Sequence, residues 1–378
     1  MKCNIKVLSP VHIGSGENYA ASEYVKSKAK TKKGNVLNII KRMDVSKYFM
    51  SLDENKKDEF LRELSNPNFN LKDFDSKIPN NFMKYRAINK SKNEIAPTQE
   101  ITEAIKTLNK LYIPGSSIKG AIESAILYNQ FDYYDTEKIE RFIDRASKRE
   151  YNSFIDSFFS SDVRYLSGQK NKISSAQKNV MKFLQISDTD DVKQTSVYDI
   201  VSIMAANFSG RKTNMYYRRN KKSKEPTISY YETVDAGNNL EFTINNNYNE
   251  KVHSALKLDD KIDLIDIKNI KKAIYNFSSD YINHEMKFSD EYGMNSLNKF
   301  YKRASKLNTK NTPLLKIGAG SGFLATTLAL KIKEYDYSLF ERIRKQKKGY
   351  DFCFPKSRKI TVNGGKPLGW VQLSFKEE

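Results

Sequence analysis

Thiol, imidazole and indole are scarce in this chain: two cysteines, three histidines and one tryptophan in 378 residues. Cys3 and Cys353 stand too far apart to form a C-x-x-C unit, which argues against a disulfide framework or a cysteine zinc site and fits cytoplasmic residence. The start, MKCNIKVLSP, lacks the apolar h-region of a secretory signal. Long apolar runs are missing too. The longest lysine-free one, Ile317 to Leu330, is broken by glycines and falls short of the ~20 residues a membrane span needs. His284-Glu285 is not followed by the second histidine of a zincin helix. Acid is the last shortage: 45 Asp+Glu face 65 Lys+Arg, a formal charge of +20. Such an excess points to a polyanionic partner, nucleic acid before an anionic membrane surface; the bland alternative is a composition heavy in Lys, Asn and Ile. Asp188, Asp190 and Asp191 put three carboxylates within four residues, but no EF-hand pattern surrounds them, and no metal or other cofactor is expected.

What is present is glycine at turns. The stretch Leu111 to Tyr128, LYIPGSSIKGAIESAILY, reads as a strand end, a Pro114-Gly115 break and then a helix. Ser116 and Ser117 are candidate N-caps, and Ile118, Ala121, Ile122, Ala125 and Ile126 form one apolar stripe. Lys119 opposes the helix dipole in the first turn, unless an anion sits there among free N–H groups. The pattern is not a Walker A loop, since Ala121 stands where its lysine belongs. A second turn, Gly14-Ser15-Gly16, follows the alternating strand Cys3 to Leu8 and offers backbone N–H groups to a ligand. His12 beside it stacks on a base, touches a phosphate or is simply a core or turn histidine. A third, Gly318-Ala319-Gly320-Ser321-Gly322, lies between a strand ending at Lys316 and a helix from Phe323.

Between these turns the chain alternates strands and helices. Ala20 to Ile40 reads as a hairpin with a Lys33-Gly34-Asn35 tip and a basic loop at Lys26, Lys28, Lys30, Lys32 and Lys33, binding surface or solvated edge. Asp44 to Leu64 is an amphipathic helix, and 66–81 a connection. About 132–185 is a largely helical insert with Arg141 and Arg145 one turn apart. Ser196 to Phe208 is an apolar strand. Gly210 to Lys224, GRKTNMYYRRNKKSK, mixes Arg211, Arg218 and Arg219 with Tyr216 and Tyr217. Cations that track a backbone and rings that stack bases suit single strands; a disordered basic loop is the alternative. Ile228 to Ile244 is strand-like with a turn at Asp235 to Asn238. Asp260 to Ser305 is mostly helical, and Arg342 to Lys348 is basic. Trp370 reads as a core anchor before a last strand.

Taken alone, Gly318 to Gly322 resembles the S-adenosylmethionine loop of class I methyltransferases. Lys316 stands where that family has an acid, however, and too few residues follow for more βα units of ~30 each. The combination of SPVHIGSGE, YIPGSSIKGAIESAIL and GAGSGFLATT with KPLGWVQLSF resembles instead the RAMP superfamily of CRISPR proteins, and within it the subunit that caps the 3′ end of the guide RNA in type III-A Csm complexes.

That resemblance implies an α+β fold of two ferredoxin-like (RRM-like) modules with helical and hairpin insertions. Residues 1–195 would form the first, with a helical insertion, and 196–378 the second, with the glycine-rich loop. It implies guide-RNA (crRNA) binding, contact with an adjacent RAMP backbone subunit and a small helical subunit, and target RNA as a further candidate partner. On the family's pattern Ser116, Ser117 and Lys119 hold the RNA backbone, as do Gly14, Ser15, Gly16 and the loop of Gly318, Gly320, Ser321 and Gly322, with Lys316 adding charge. Two departures stand out. Glu123 occupies a helix position where RAMP proteins usually carry arginine. Glu23, in an SEYV context, stands in place of the cleaving subunits' aspartate, and no second acid has a convincing role. A non-catalytic RNA-binding subunit is therefore expected rather than a RAMP endoribonuclease.

Overall fold

The computed structural model describes residues 1–144, 148–166, 171–216, 225–343 and 354–376. β1 (Lys2–Val7) is followed by β2 (Gly14–Tyr19), the hairpin β3 (Tyr24–Lys30) and β4 (Val36–Met43), and a helical insertion of α1 (Val45–Met50), α2 (Glu54–Glu63) and α3 (Leu71–Phe74). Next come β5 (Met83–Asn89), β6 (Ile101–Ala104), the small pair β7 (Lys106–Thr107) and β8 (Lys110–Leu111), then α4 (Gly115–Gln130), α5 (Tyr133–Asp144) and α6 (Lys148–Ser157). β9 (Leu184–Ile186), β10 (Thr195–Phe208), β11 (Arg211–Tyr216), β12 (Ser229–Val234) and β13 (Asn239–Asn246) precede α7 (Glu250–Ala255), α8 (Ile267–Glu291) and α9 (Asn295–Leu307). β14 (Leu314–Lys316), α10 (Gly322–Ala325), α11 (Ala329–Tyr335), α12 (Tyr337–Ile343), β15 (Ser357–Thr361) and β16 (Trp370–Phe375) complete the order.

Five strands form one sheet in the order β14-β16-β1-β13-β9, antiparallel throughout. With α4 between β1 and β9 and α8 between β13 and β16, four of these strands take the 4-1-3-2 order of a ferredoxin-like module, to which β14 adds an edge. The expected helical stripe on α4 is real: Ile118, Ile122, Ala125 and Ile126 are buried. Tyr128 meets Phe277 of α8 with ring centroids 4.7 Å apart. α8 buries Ile270, Ile274, Phe277 and Tyr281 at helical spacing, and Trp370 is 1% exposed in the same core.

The second sheet has nine strands. Seven follow the path β2-β6-β12-β10-β5-β4-β3, and β11 and β15 join β10 along its length. Both sheets draw strands from either side of residue 195. The turn Asp235 to Asn238 does not make a hairpin: it passes the chain from β12 in one sheet to β13 in the other. The β3–β4 hairpin turns at Gly34 as expected, with Gly34 N–H donating to the Thr31 carbonyl. The single helix expected over Asp44 to Leu64 is two, because Asp53 accepts from the Lys56 N–H and starts a new one.

Candidate nucleic-acid interface

Three stretches far apart in sequence meet at one end of the five-stranded sheet. The Leu8 and Ser9 N–H groups donate to the Trp370 carbonyl, Trp370 N–H donates to Ser9 Oγ at 3.0 Å, and Gly369 N–H donates to the Pro10 carbonyl. Ala319 N–H then donates to the His12 carbonyl at 2.8 Å. Gly318 makes this possible: its φ is +68°, and a Cβ there would overlap the His12 carbonyl oxygen. Ser321 Oγ closes the turn onto the Gly318 carbonyl at 2.8 Å.

Above this junction lies an open cleft of about 560 Å³, bounded by the glycine loop and by β10, β12 and β15. Gly320, Gly322, Ser202, Ser229, Tyr231 and Lys359 line it. Gly318 and Gly322 are exposed, so the loop is not closed off by the fold. Lys359 Nζ donates to Tyr231 Oη at 2.7 Å and lies 5.1 Å from that ring's centroid. His12 packs against Tyr231, its ring centroid 4.8 Å away, while Nδ1 donates to the Glu232 carbonyl at 2.7 Å. Burial lowers the His12 pKa and favours the neutral ring. His12 is only 4% exposed, so it buttresses Tyr231; the core-histidine alternative holds over direct contact.

The floor of the cleft is a buried charge cluster. Glu285 on α8 accepts from Arg358 Nε at 2.7 Å and Nη2 at 2.6 Å, and the guanidinium lies 4.1 Å from the Phe288 ring centroid. Burial alone would raise the Glu285 pKa, but the Arg358 charge and hydrogen bonds hold it below the usual range. Lys316 does not face a strand from the surface as expected. It is buried over the rings of Trp370 and Tyr281, at 5.4 and 5.7 Å, and burial brings its pKa down to about 8. The reason is β14 itself, whose three residues are all buried.

The remaining expected residues lie elsewhere. α4 starts against β9, at the opposite edge of the five-stranded sheet from β14 and the glycine loop, about 19 Å across four strand spacings. Ser116 and Ser117 are not N-caps. Pro114 takes that position, and Asp188 accepts from the Gly115 N–H at 2.8 Å, so a carboxylate of the chain already occupies the helix start. Asp188→Ala should therefore cost about 1 kcal/mol, read as a lower urea midpoint with unchanged m. Lys119 is half-buried and sits one turn from Glu123; burial lowers its pKa. Gly14, Ser15 and Gly16 are exposed but belong to β2, with Ser15 Oγ donating to the Glu103 carbonyl. Arg211 and Tyr216 are exposed on β11, and Tyr217, Arg218 and Arg219 lie outside the described residues.

The acids divide in the same way. Asp190 accepts from the Glu241 N–H and Asp191 pairs with Lys110, so the three neighbouring aspartates have three different partners. Glu23 pairs with Arg42 at 3.0 Å and accepts from the Ala20 N–H. The methyltransferase alternative fails on topology: β14 runs antiparallel to β16, and the helix after the loop has four residues. Sequence reading missed Tyr231 and Lys359. The alternation in SYYETV puts Tyr230 inward and Tyr231 outward, but nothing local pairs Tyr231 with a lysine 128 residues away.

A family model described as the RAMP superfamily matches residues 4–324. The chain belongs to the RAMP superfamily. Among proteins, this RAMP chain is 24% identical over 409 aligned residues to the CRISPR system Cms protein Csm5 of Methanocaldococcus jannaschii, covering 100% of this chain and 89% of the relative. A chain in the cryo-EM structure of a Csm-crRNA-target RNA ternary complex of a type III-A CRISPR-Cas system shares its fold. The TM-score is 0.66 at 23% identity, covering 99% of this chain and 100% of that one. Crystalline Csm5 of T. onnurineus does likewise, with a TM-score of 0.64 at 19% identity, covering 97% and 99%.

Proposed function

We propose that this RAMP protein is a non-catalytic subunit of a type III-A Csm effector complex. It binds the 3′ part of the guide RNA, caps the backbone filament beside an adjacent RAMP subunit and a small helical subunit, and supports guide maturation. End-to-end likeness to Csm5 of two organisms, and to a chain of a crRNA and target-RNA complex, supports the assembly. One observation carries the binding site: the open cleft where the glycine loop, Tyr231 and Lys359 converge. There, loop N–H groups receive phosphate oxygens, Lys359 neutralises charge, and the Tyr231 ring, packed against His12, stacks a splayed base. The exposed turn of β2 extends the contact along the strand, and farther on the side chains of Ser116, Ser117 and Lys119 add to it beyond the helix start that Asp188 occupies. Glu23, the acid that stands at the cleaving subunits' position, is held by Arg42 and the Ala20 amide instead of facing the cleft.

Ultraviolet cross-linking of the assembled complex, followed by sequencing of the attached RNA, tests this. Cross-links on the Tyr231 peptide should map to the 3′ part of the guide; a 5′ map would contradict the proposal. Incubation of guide-paired RNA with Mg²⁺ should yield no product that depends on Glu23. Cleavage abolished by Glu23→Ala would overturn the non-catalytic assignment.

A further inference from the structure

α9 presents a feature that neither the cleft nor the glycine turns use. Its sequence, NSLNKFYKRASKL, holds Lys299, Lys302, Arg303 and Lys306 and no acid. All four are exposed, while Leu297, Tyr301 and Ala304 are buried. At 3.6 residues per turn the four cations fall in an arc about 100° wide, centred on the side opposite the buried face. Lys299–Lys302 and Arg303–Lys306 are i,i+3 pairs, and Lys299–Arg303 and Lys302–Lys306 are i,i+4 pairs, so every neighbouring pair repels. By contrast α2, ENKKDEFLRE, interleaves both signs. Among the described residues no carboxylate pairs with any of the four α9 cations. An uncompensated stripe of this kind lowers helix stability unless an anion lies along it.

The stripe also leads toward the proposed site. Asn214 Nδ2 donates to the Tyr292 and Gly293 carbonyls, fastening the β10–β11 hairpin, with exposed Arg211, to the entrance of α9. At the exit the chain runs through Lys310 into β14 and the glycine loop.

We propose that the outward face of α9 is a second phosphate track, taking the backbone of a single RNA strand along Lys299, Lys302, Arg303 and Lys306. The track spans about 10 Å of helix, and it rests on the reading that this chain binds RNA. A polyanion fits better than an acidic protein patch because the cations form one continuous band without apolar residues between them, as phosphate contacts require and protein interface cores do not.

The test is binding of fluorescein-labelled guide RNA and of poly(U) to the full chain across a KCl series, for wild type and for the Lys299→Gln/Arg303→Gln/Lys306→Gln variant. Three lost phosphate contacts should flatten the log–log salt slope by about 2, at roughly 0.7 per contact on single strands. The change should be equal for both RNAs, since phosphate contacts carry no base information. The thermal midpoint should not fall, because repulsion has been removed. A Lys299→Arg/Lys306→Arg variant should keep the wild-type slope. An unchanged slope in the glutamine variant would overturn the proposal and leave α9 a solvated face. So would an unchanged slope together with lost binding to a neighbouring subunit, which would make the stripe a protein contact. If Tyr231 and Lys359 substitutions weaken binding while the α9 variant does not, only the second track fails; if wild type binds neither RNA, the reading beneath it fails.

Discussion

Replacing Glu285 with alanine is expected to lower stability by about 3–5 kcal/mol, the range for breaking a buried ion pair by removing one partner. The carboxylate is 0% exposed and bonds Arg358 through two separate N–H groups. Without it, the guanidinium stays trapped against Phe288 with its charge unanswered. Glu285→Gln should also be costly, since it keeps the volume and loses the charge. The Glu285→Met/Arg358→Met double variant should recover much of the loss, because replacing both members of a buried pair with apolar side chains is often close to neutral. Urea denaturation of wild type, Glu285→Met, Arg358→Met and the double variant closes the cycle. A Glu285→Ala midpoint at the wild-type value would show that the pair does not hold α8 to β15. The consequence for function is geometric. Glu285 joins a helix of the ferredoxin-like module to the strand that carries Lys359, so the loop and the wall of the cleft keep their separation.

Removing Lys316 should stabilise the protein, and the gain should depend on pH. Burial depresses its folded-state pKa to about 8, from an ordinary 10.5 in the unfolded chain. Glu285, the carboxylate that would favour its charge, is committed to Arg358, whose own charge opposes it. Below pH 8 both states carry the proton, and the penalty for a buried ammonium is fully present. Between about 8 and 10.5 the unfolded state binds more protons than the folded state, so stability rises with pH through that window. A difference of about 2.5 pKa units corresponds to about 3 kcal/mol. Lys316→Met should therefore exceed wild type by up to about 3 kcal/mol at pH 7, and the advantage should shrink as the pH approaches 10. Taking the difference between the two proteins removes the opposite trend from Cys3, whose thiol burial pushes up to about 11. A Lys316→Met advantage that stayed constant from pH 7 to 10 would refute a depressed lysine.

Local signals in the chain were easy to read. The period of Ile118, Ile122, Ala125 and Ile126 announces α4, and Lys33-Gly34-Asn35 announces its hairpin, because both depend on residues within a turn or two. What depends on distant partners was not legible. Ser116 and Ser117 look like caps, yet the acceptor at the start of α4 arrives from Asp188, 73 residues on. The turn at Asp235 to Asn238 is local, yet where it sends the chain is not: β13 pairs with β1 and β9 rather than with β12. Lys316 looks like a surface cation before a glycine loop. Only the partners of β14 show that it lies under Trp370. The site was half legible for the same reason: its glycine turns carry their own conformational signature, whereas Tyr231 and Lys359 acquire meaning only when β12 and β15 both join β10.

The cradle formed by the glycine loop, Tyr231 and Lys359 is tested most directly by the affinity of the full chain for single-stranded guide RNA before and after Tyr231→Ala/Lys359→Gln. Both side chains stand at the surface of the cleft, so the fold should survive. Loss of one stacked base, about 1–3 kcal/mol, together with one cation should weaken binding at least tenfold and reduce the salt slope by about 0.7. Unchanged affinity and slope in a variant of wild-type thermal midpoint would mean that the strand lies somewhere else on this protein.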